Sequence, residues 1–65
     1  MSLPLDTRDT AILRKLAAGM SLKGIARDHQ INADTAKFHA RVMRLKLGAR
    51  TSTEAVAIAL RANLI

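Results

Sequence analysis

Cysteine is absent from this 65-residue chain, which excludes disulfides and thiolate metal sites and is consistent with a reducing compartment. Tryptophan and tyrosine are absent too, and phenylalanine occurs once, at position 38. Acids are scarce: five aspartates and glutamates stand against eleven lysines and arginines, giving a formal charge of +6 and a pI near 11.3. That balance favours a polyanionic partner, nucleic acid ahead of an anionic membrane. No apolar run approaches the roughly 20 residues of a membrane span, and the start, "MSLPLDTRD", lacks the basic residues and long apolar stretch of a signal peptide. The expectation is a cytoplasmic protein with no membrane partner.

Catalytic and metal-binding patterns are missing as well. Asp6, Asp9, Asp28, Asp34 and Glu54 stand singly near the starts or ends of candidate helices, where capping and dipole roles account for them. His29 and His39 are the two histidines, too few for a metal site without cysteine. No serine is joined by a base and an orienting acid, and there is no glycine-rich phosphate loop. No enzyme activity, cofactor or metal is expected.

What the chain does contain is apolar residues at 49%, many of them alanine. That suffices for one small core with close helix contacts, so residues 1–65 read as a single domain, of a size at which a second subunit would add stability. With three glycines and one proline, punctuation is sparse but legible. After Pro4, Asp6 or Thr7 can cap a first helix over about 7 to 18, in which Ile12, Leu13, Leu16 and Ala17 recur at helical spacing and Gly19 suits the end. Ser21 opens a short second helix over about 22 to 29, with Leu22, Ile25 and Ala26 on one side. Asn32 caps a third over about 33 to 47, with Asp34 in its first turn and Gly48 after its end. "TST" precedes a fourth, over about 53 to 63, containing "EAVAIALRA". The expected fold is therefore all-α, four helices with short connections. The second and third form a short helix, a turn and a longer helix, the plan of a helix-turn-helix unit whose second helix enters the DNA major groove.

The third helix concentrates the charge. Lys37, Arg41 and Arg44 fall within about 60° of one another at 100° per residue, while Ala36, His39, Ala40, Met43 and Leu47 gather opposite. A solvated face is the plain alternative, but such a face usually mixes signs, and here no acid follows Asp34 in the helix. Phe38, on the flank of the cationic face, admits two readings. One is a core aromatic packing against the second helix. The other is an apolar probe for a thymine methyl, beside Lys37 and Arg41 as donors to guanine O6 and N7. His39, on the apolar side, reads as a structural histidine.

From Leu5 onward the sequence resembles the LuxR-type (GerE-type) DNA-binding domain, most specifically in "TAKFH" at 35–39, "KLGA" at 46–49 and "TEAV" at 53–56. The resemblance implies a four-helix fold in which the third helix reads the major groove and the fourth pairs two subunits on an inverted repeat. It implies Lys37, Phe38 and Arg41, with Arg44 on the same face, as base-reading residues. Ser21, Lys23, Thr35, Lys46 and Arg50 would be phosphate contacts, which set register rather than sequence. Asp9 stands at the position of the family's acidic residue in the first helix and would be tied to the basic scaffold. Departures from the pattern are Thr7, Gly24, Ala36, Val42 and Leu45. Gly24 should weaken the second helix by about 1 kcal/mol relative to alanine. Val42 and Leu45 extend apolar surface beside the cationic face. Such regulators usually carry an input domain, for which 65 residues leave no room, so a stand-alone small regulator is expected.

The fourth helix is apolar nearly all round. If Ala55, Val56, Ala59 and Leu60 form its buried stripe, Ala57 and Ile58 beside Arg61 remain as a second strip suited to a twofold dimer. The expected function is a dimeric, sequence-specific transcription regulator bound to double-stranded DNA. A heterodimer with another LuxR-type regulator, or contact with RNA polymerase, are further partners. The rival reading is an antagonist that heterodimerises with a full-length LuxR-type regulator and blocks it. A fragment of sigma-factor region 4 fits less well because of "TEAV", and a membrane-active peptide less well because the apolar faces are alanine-rich and lack tryptophan.

Overall fold

Four residues with short polar side chains start the helices of this protein, whose computed structural model describes residues 5–65; the role expected of Pro4 lies outside the described residues. The helices are α1 (Thr7–Ala17), α2 (Leu22–Asp28), α3 (Ala33–Leu47) and α4 (Ser52–Arg61), and there is no strand among the described residues. Of the two candidates for the first cap, Asp6 is the one used. It forms a reciprocal box, Oδ1 accepting from the Asp9 N–H at 2.8 Å while Asp9 Oδ2 accepts from the Asp6 N–H at 3.1 Å. Ser21 Oγ accepts from the Gly24 N–H, Asn32 Oδ1 from the Thr35 N–H and Thr51 Oγ1 from the Glu54 N–H. Each cap satisfies an N–H that has no partner inside its own helix.

The helix ends share one device, a left-handed residue followed by two backbone bonds that reach back into the last turn. Gly19 (φ 93°) and Gly48 (φ 70°) serve α1 and α3, as glycine readily does. After α2 and α4 the same conformation falls on Gln30 and Asn63, both at φ 57°. Ile31 N–H then reaches the Ala26 carbonyl at 2.9 Å, and Leu64 N–H the Ala59 carbonyl at 2.8 Å. The turn between α2 and α3 is thus built on a non-glycine residue in a region that costs L-residues about 1–2 kcal/mol.

Ile12 and Leu13 from α1, Ile25 from α2, Met43 from α3, and Ala55 and Ala59 from α4 form the core, each 1% exposed or less. Ala26, Ala36 and Ala40 are buried where α2 and α3 pack together, the lack of bulk there allowing close backbone approach. Leu16, Met20, Leu22, Leu47 and Val56 close over the core, half-buried. The predicted apolar side of α3 is the buried side, with His39 and Leu47 only half-covered.

One open reading is decided and one expectation fails. Phe38 is not a core residue: it is 63% exposed, because α2 packs along Ala36 and Ala40, which lie on the opposite side of α3. In α4, Ala55 and Ala59 are fully buried but Leu60 is 54% exposed. α1 and α3 meet α4 along the line of the two alanines, and Leu60, about 100° from Ala59, falls outside so narrow a stripe.

Candidate nucleic-acid interface

Burying Ala36, Ala40 and Met43 turns the opposite side of α3 to solvent. Lys37, Phe38, Arg41 and Leu45 are exposed there, and Arg44 is half-buried. Lys37, Phe38, Arg41 and Arg44 line one open concavity of about 480 Å³ with Leu22 of α2 and Asp34 of α3. The four residues predicted from the sequence to meet bases are therefore brought together on one surface. None of the three cations forms an ion pair among the described residues, so their donors face water. Leu45, 70% exposed, continues the apolar line of Phe38 two turns along the helix.

The predicted phosphate contacts divide. Lys23 is exposed at the start of α2, and Ser21 is exposed beside it with its hydroxyl accepting the cap bond. Thr35 is half-buried in the first turn of α3. Arg50 is held loosely: its guanidinium lies 3.6 Å from Glu54 while the side chain is 90% exposed. Lys46 differs from the others. Its ammonium donates to Asp9 Oδ2 at 2.6 Å, the two side chains being 16% and 5% exposed. That bond holds the ammonium above its ordinary value of 10.5 and ties α3 to α1, which places Lys46 in the scaffold rather than among the free cations. The acid of α1 is thus tied to a basic partner, as the sequence led us to expect for Asp9.

Two further clusters were not read from the sequence. Arg8 Nη1 lies 2.9 Å from His39 Nε2, joining α1 to α3. Lys15 of α1 pairs with Asp28 and lies 2.9 Å from His29 Nε2, holding the end of α2; the hydrogen bond from Lys15 keeps the Asp28 carboxyl below its ordinary 3.8. His39 has a structural place on one nitrogen only, its Nδ1 being buried without a partner. No spacing in the sequence signals these bonds, because they join residues 13 (28 − 15), 14 and 31 positions apart. Asp34 is different. Its place on the face of Phe38 follows from helical arithmetic, four residues being a little over one turn.

On α4, Leu60 and Arg61 are exposed and Ala57 and Ile58 half-buried, with Ile58, Arg61 and Ala62 bordering a shallow hollow. The strip predicted from Ala57, Ile58 and Arg61 is on the outside of the domain, joined by Leu60. No helix among the described residues is long and apolar enough to cross a membrane.

No curated protein and no solved structure matches the chain. The family model for bacterial regulatory proteins of the luxR family matches residues 3–59, a span that takes in the α2–turn–α3 unit and most of α4. The chain therefore belongs to the luxR family of bacterial regulatory proteins, carrying its DNA-binding helix-turn-helix domain.

Proposed function

We propose that the protein is a sequence-specific transcription regulator that binds double-stranded DNA as a homodimer, with α3 in the major groove. The observation that carries this reading is the outer face of α3, where an aromatic ring 63% exposed borders the same concavity as three cations that form no ion pair among the described residues. A lone solvent-facing phenylalanine stabilises no core. Beside Lys37 and Arg41 it supplies the one contact that cations cannot make, with a thymine methyl, while its neighbours donate to guanine O6 and N7. Lys37, Phe38, Arg41 and Arg44 are the base-reading set. Lys23, Ser21, Thr35 and Arg50 meet phosphates and fix register. Lys46, bound to Asp9, supports α3 from behind.

The four helices act as one domain, and two copies pair through the outer strip of α4, Ala57, Ile58 and Arg61 with Leu60. A twofold contact sets two recognition helices about 34 Å apart, one turn of duplex, so the site is an inverted repeat. Work on DNA places the protein in the bacterial cytoplasm. Enrichment of bound duplexes from a random pool tests the proposal directly. The expected result is an inverted repeat with half-site centres about one helical turn apart. Retention of every sequence equally, at a salt concentration where specific complexes survive, would refute it.

A further inference from the structure

The base-reading face proposed above contains an acid. Asp34 is exposed and borders the same concavity as Lys37, Phe38, Arg41 and Arg44. Every other acid of the chain has a defined partner: Asp6 caps α1, Asp9 binds Lys46, Asp28 binds Lys15 and the Glu54 carboxylate accepts from the Arg50 N–H. The Asp34 side chain has no hydrogen bond or ion pair among the described residues. A helix dipole favours a carboxylate in the first turn but is indifferent to which side of the helix it stands on. This one stands within about 40° of Phe38, on the side turned away from the core. There it repels phosphate, so it is tolerated against DNA only where a donor faces it.

Of the groups on a base edge in the major groove, the amino groups of cytosine and adenine donate. Lysine and arginine have no acceptor, and an ionised carboxylate has nothing else. On this face Asp34 is the one side chain able to read a donor. Adenine also presents its N7 acceptor beside the amino group, which a carboxylate repels, whereas cytosine presents the amino group without an adjacent acceptor. Asp34 also lies near the N-terminal end of α3, the part of a recognition helix that reaches base edges.

We propose that Asp34 is a specificity-determining residue that selects cytosine at one position of each half-site and lowers the affinity for DNA of other sequence. The inference rests on the DNA-reading role of α3. Its test is enrichment from a random duplex pool with the natural chain, Asp34→Asn and Asp34→Ala, the helix content of each checked by circular dichroism, followed by affinities on single-base variants of the enriched site. The natural chain should require a cytosine whose replacement weakens binding about tenfold. Asp34→Asn should exchange that cytosine for adenine, which asparagine reads through N6 and N7. Asp34→Ala should lose preference at that position alone and bind random duplex about two- to fivefold more tightly at low salt, a phosphate repulsion having been removed. Identical preferences for all three folded chains would overturn the role of Asp34 and leave the reading of α3 intact. Failure of the natural chain to enrich any sequence would overturn both.

Discussion

The proposed complex gives Lys37 and Arg41 bases to touch and Lys23 a phosphate, and the difference is measurable. Replacing Lys37 or Arg41 with alanine should cost about 1–3 kcal/mol on the preferred site and relax base preference locally. Lys23→Ala should weaken all sequences alike and reduce the salt slope by about one counterion. Titrations on the preferred and on scrambled duplexes at several salt concentrations separate the two behaviours, and uniform weakening by Lys37→Ala would remove it from the base-reading set. The same comparison probes the scaffold. Asp9 is 4% exposed and holds both the Asp6 N–H and Lys46, so Asp9→Ala should lower the melting temperature more than Asp28→Ala, which removes a side chain that is 55% exposed. Local sequence carried the cationic face and its opposite, buried side, because both follow from one helix's periodicity. It left Phe38 open between core and groove, since the answer depends on which residues of α3 meet α2. The pairing of Lys46 with Asp9 spans 37 positions and has no local signature.

At the scale of elements, the caps explain why the helix limits were legible. A side-chain acceptor three residues before a backbone N–H is a local feature, and Asp6, Ser21, Asn32 and Thr51 each supply it. The turn after α2 was legible as a turn but not in its conformation, because glutamine carries no signal for positive φ. Two substitutions act on α2 and the turn that follows it. A Cβ at position 24 would meet only Ser21 Oγ at 3.5 Å and Met20 Cε at 3.6 Å, ordinary contacts, so Gly24→Ala should stabilise the domain by about 0.5–1 kcal/mol. Gln30→Gly should add up to about 1 kcal/mol by relieving the left-handed residue, less the greater chain entropy of glycine. Urea unfolding of each variant gives both values, and a loss of stability in Gly24→Ala would mean that α2 needs the freedom of glycine. The α4 stripe was misjudged at Leu60 for an element-level reason. Two alanines let α1 and α3 approach so closely that the buried stripe is narrower than the usual apolar face.

At the scale of the whole molecule, pH and the proposed pairing of two copies are the variables to test. The Asp9 N–H holds the Asp6 carboxyl, and the Lys15 ammonium that of Asp28, below the ordinary 3.8. Their contributions to stability are present above that value and are lost as pH falls through the depressed ones. Lys46, raised above 10.5, contributes below 10.5 and loses its share as pH rises further. Urea midpoints should therefore drop below about pH 4, and Asp28→Asn should shallow that fall. The second copy is a question of what covers α4. Leu60 is 54% exposed beside Ala57 and Arg61, an apolar strip on a domain whose core holds four large, fully buried side chains. In the proposed dimer, a twofold axis through this strip would set Leu60 near its own counterpart. Alanine and one leucine bury little area, so the free dimer should be weak, and duplex should strengthen it by holding both subunits. Leu60→Glu brings two like charges towards the axis while altering no buried residue. It should leave helix content and half-site affinity unchanged and abolish cooperative binding to the full inverted repeat, with sedimentation showing monomer at concentrations where the natural chain pairs. Full-site affinity equal to that of the natural chain would exclude this strip of α4 from the interface.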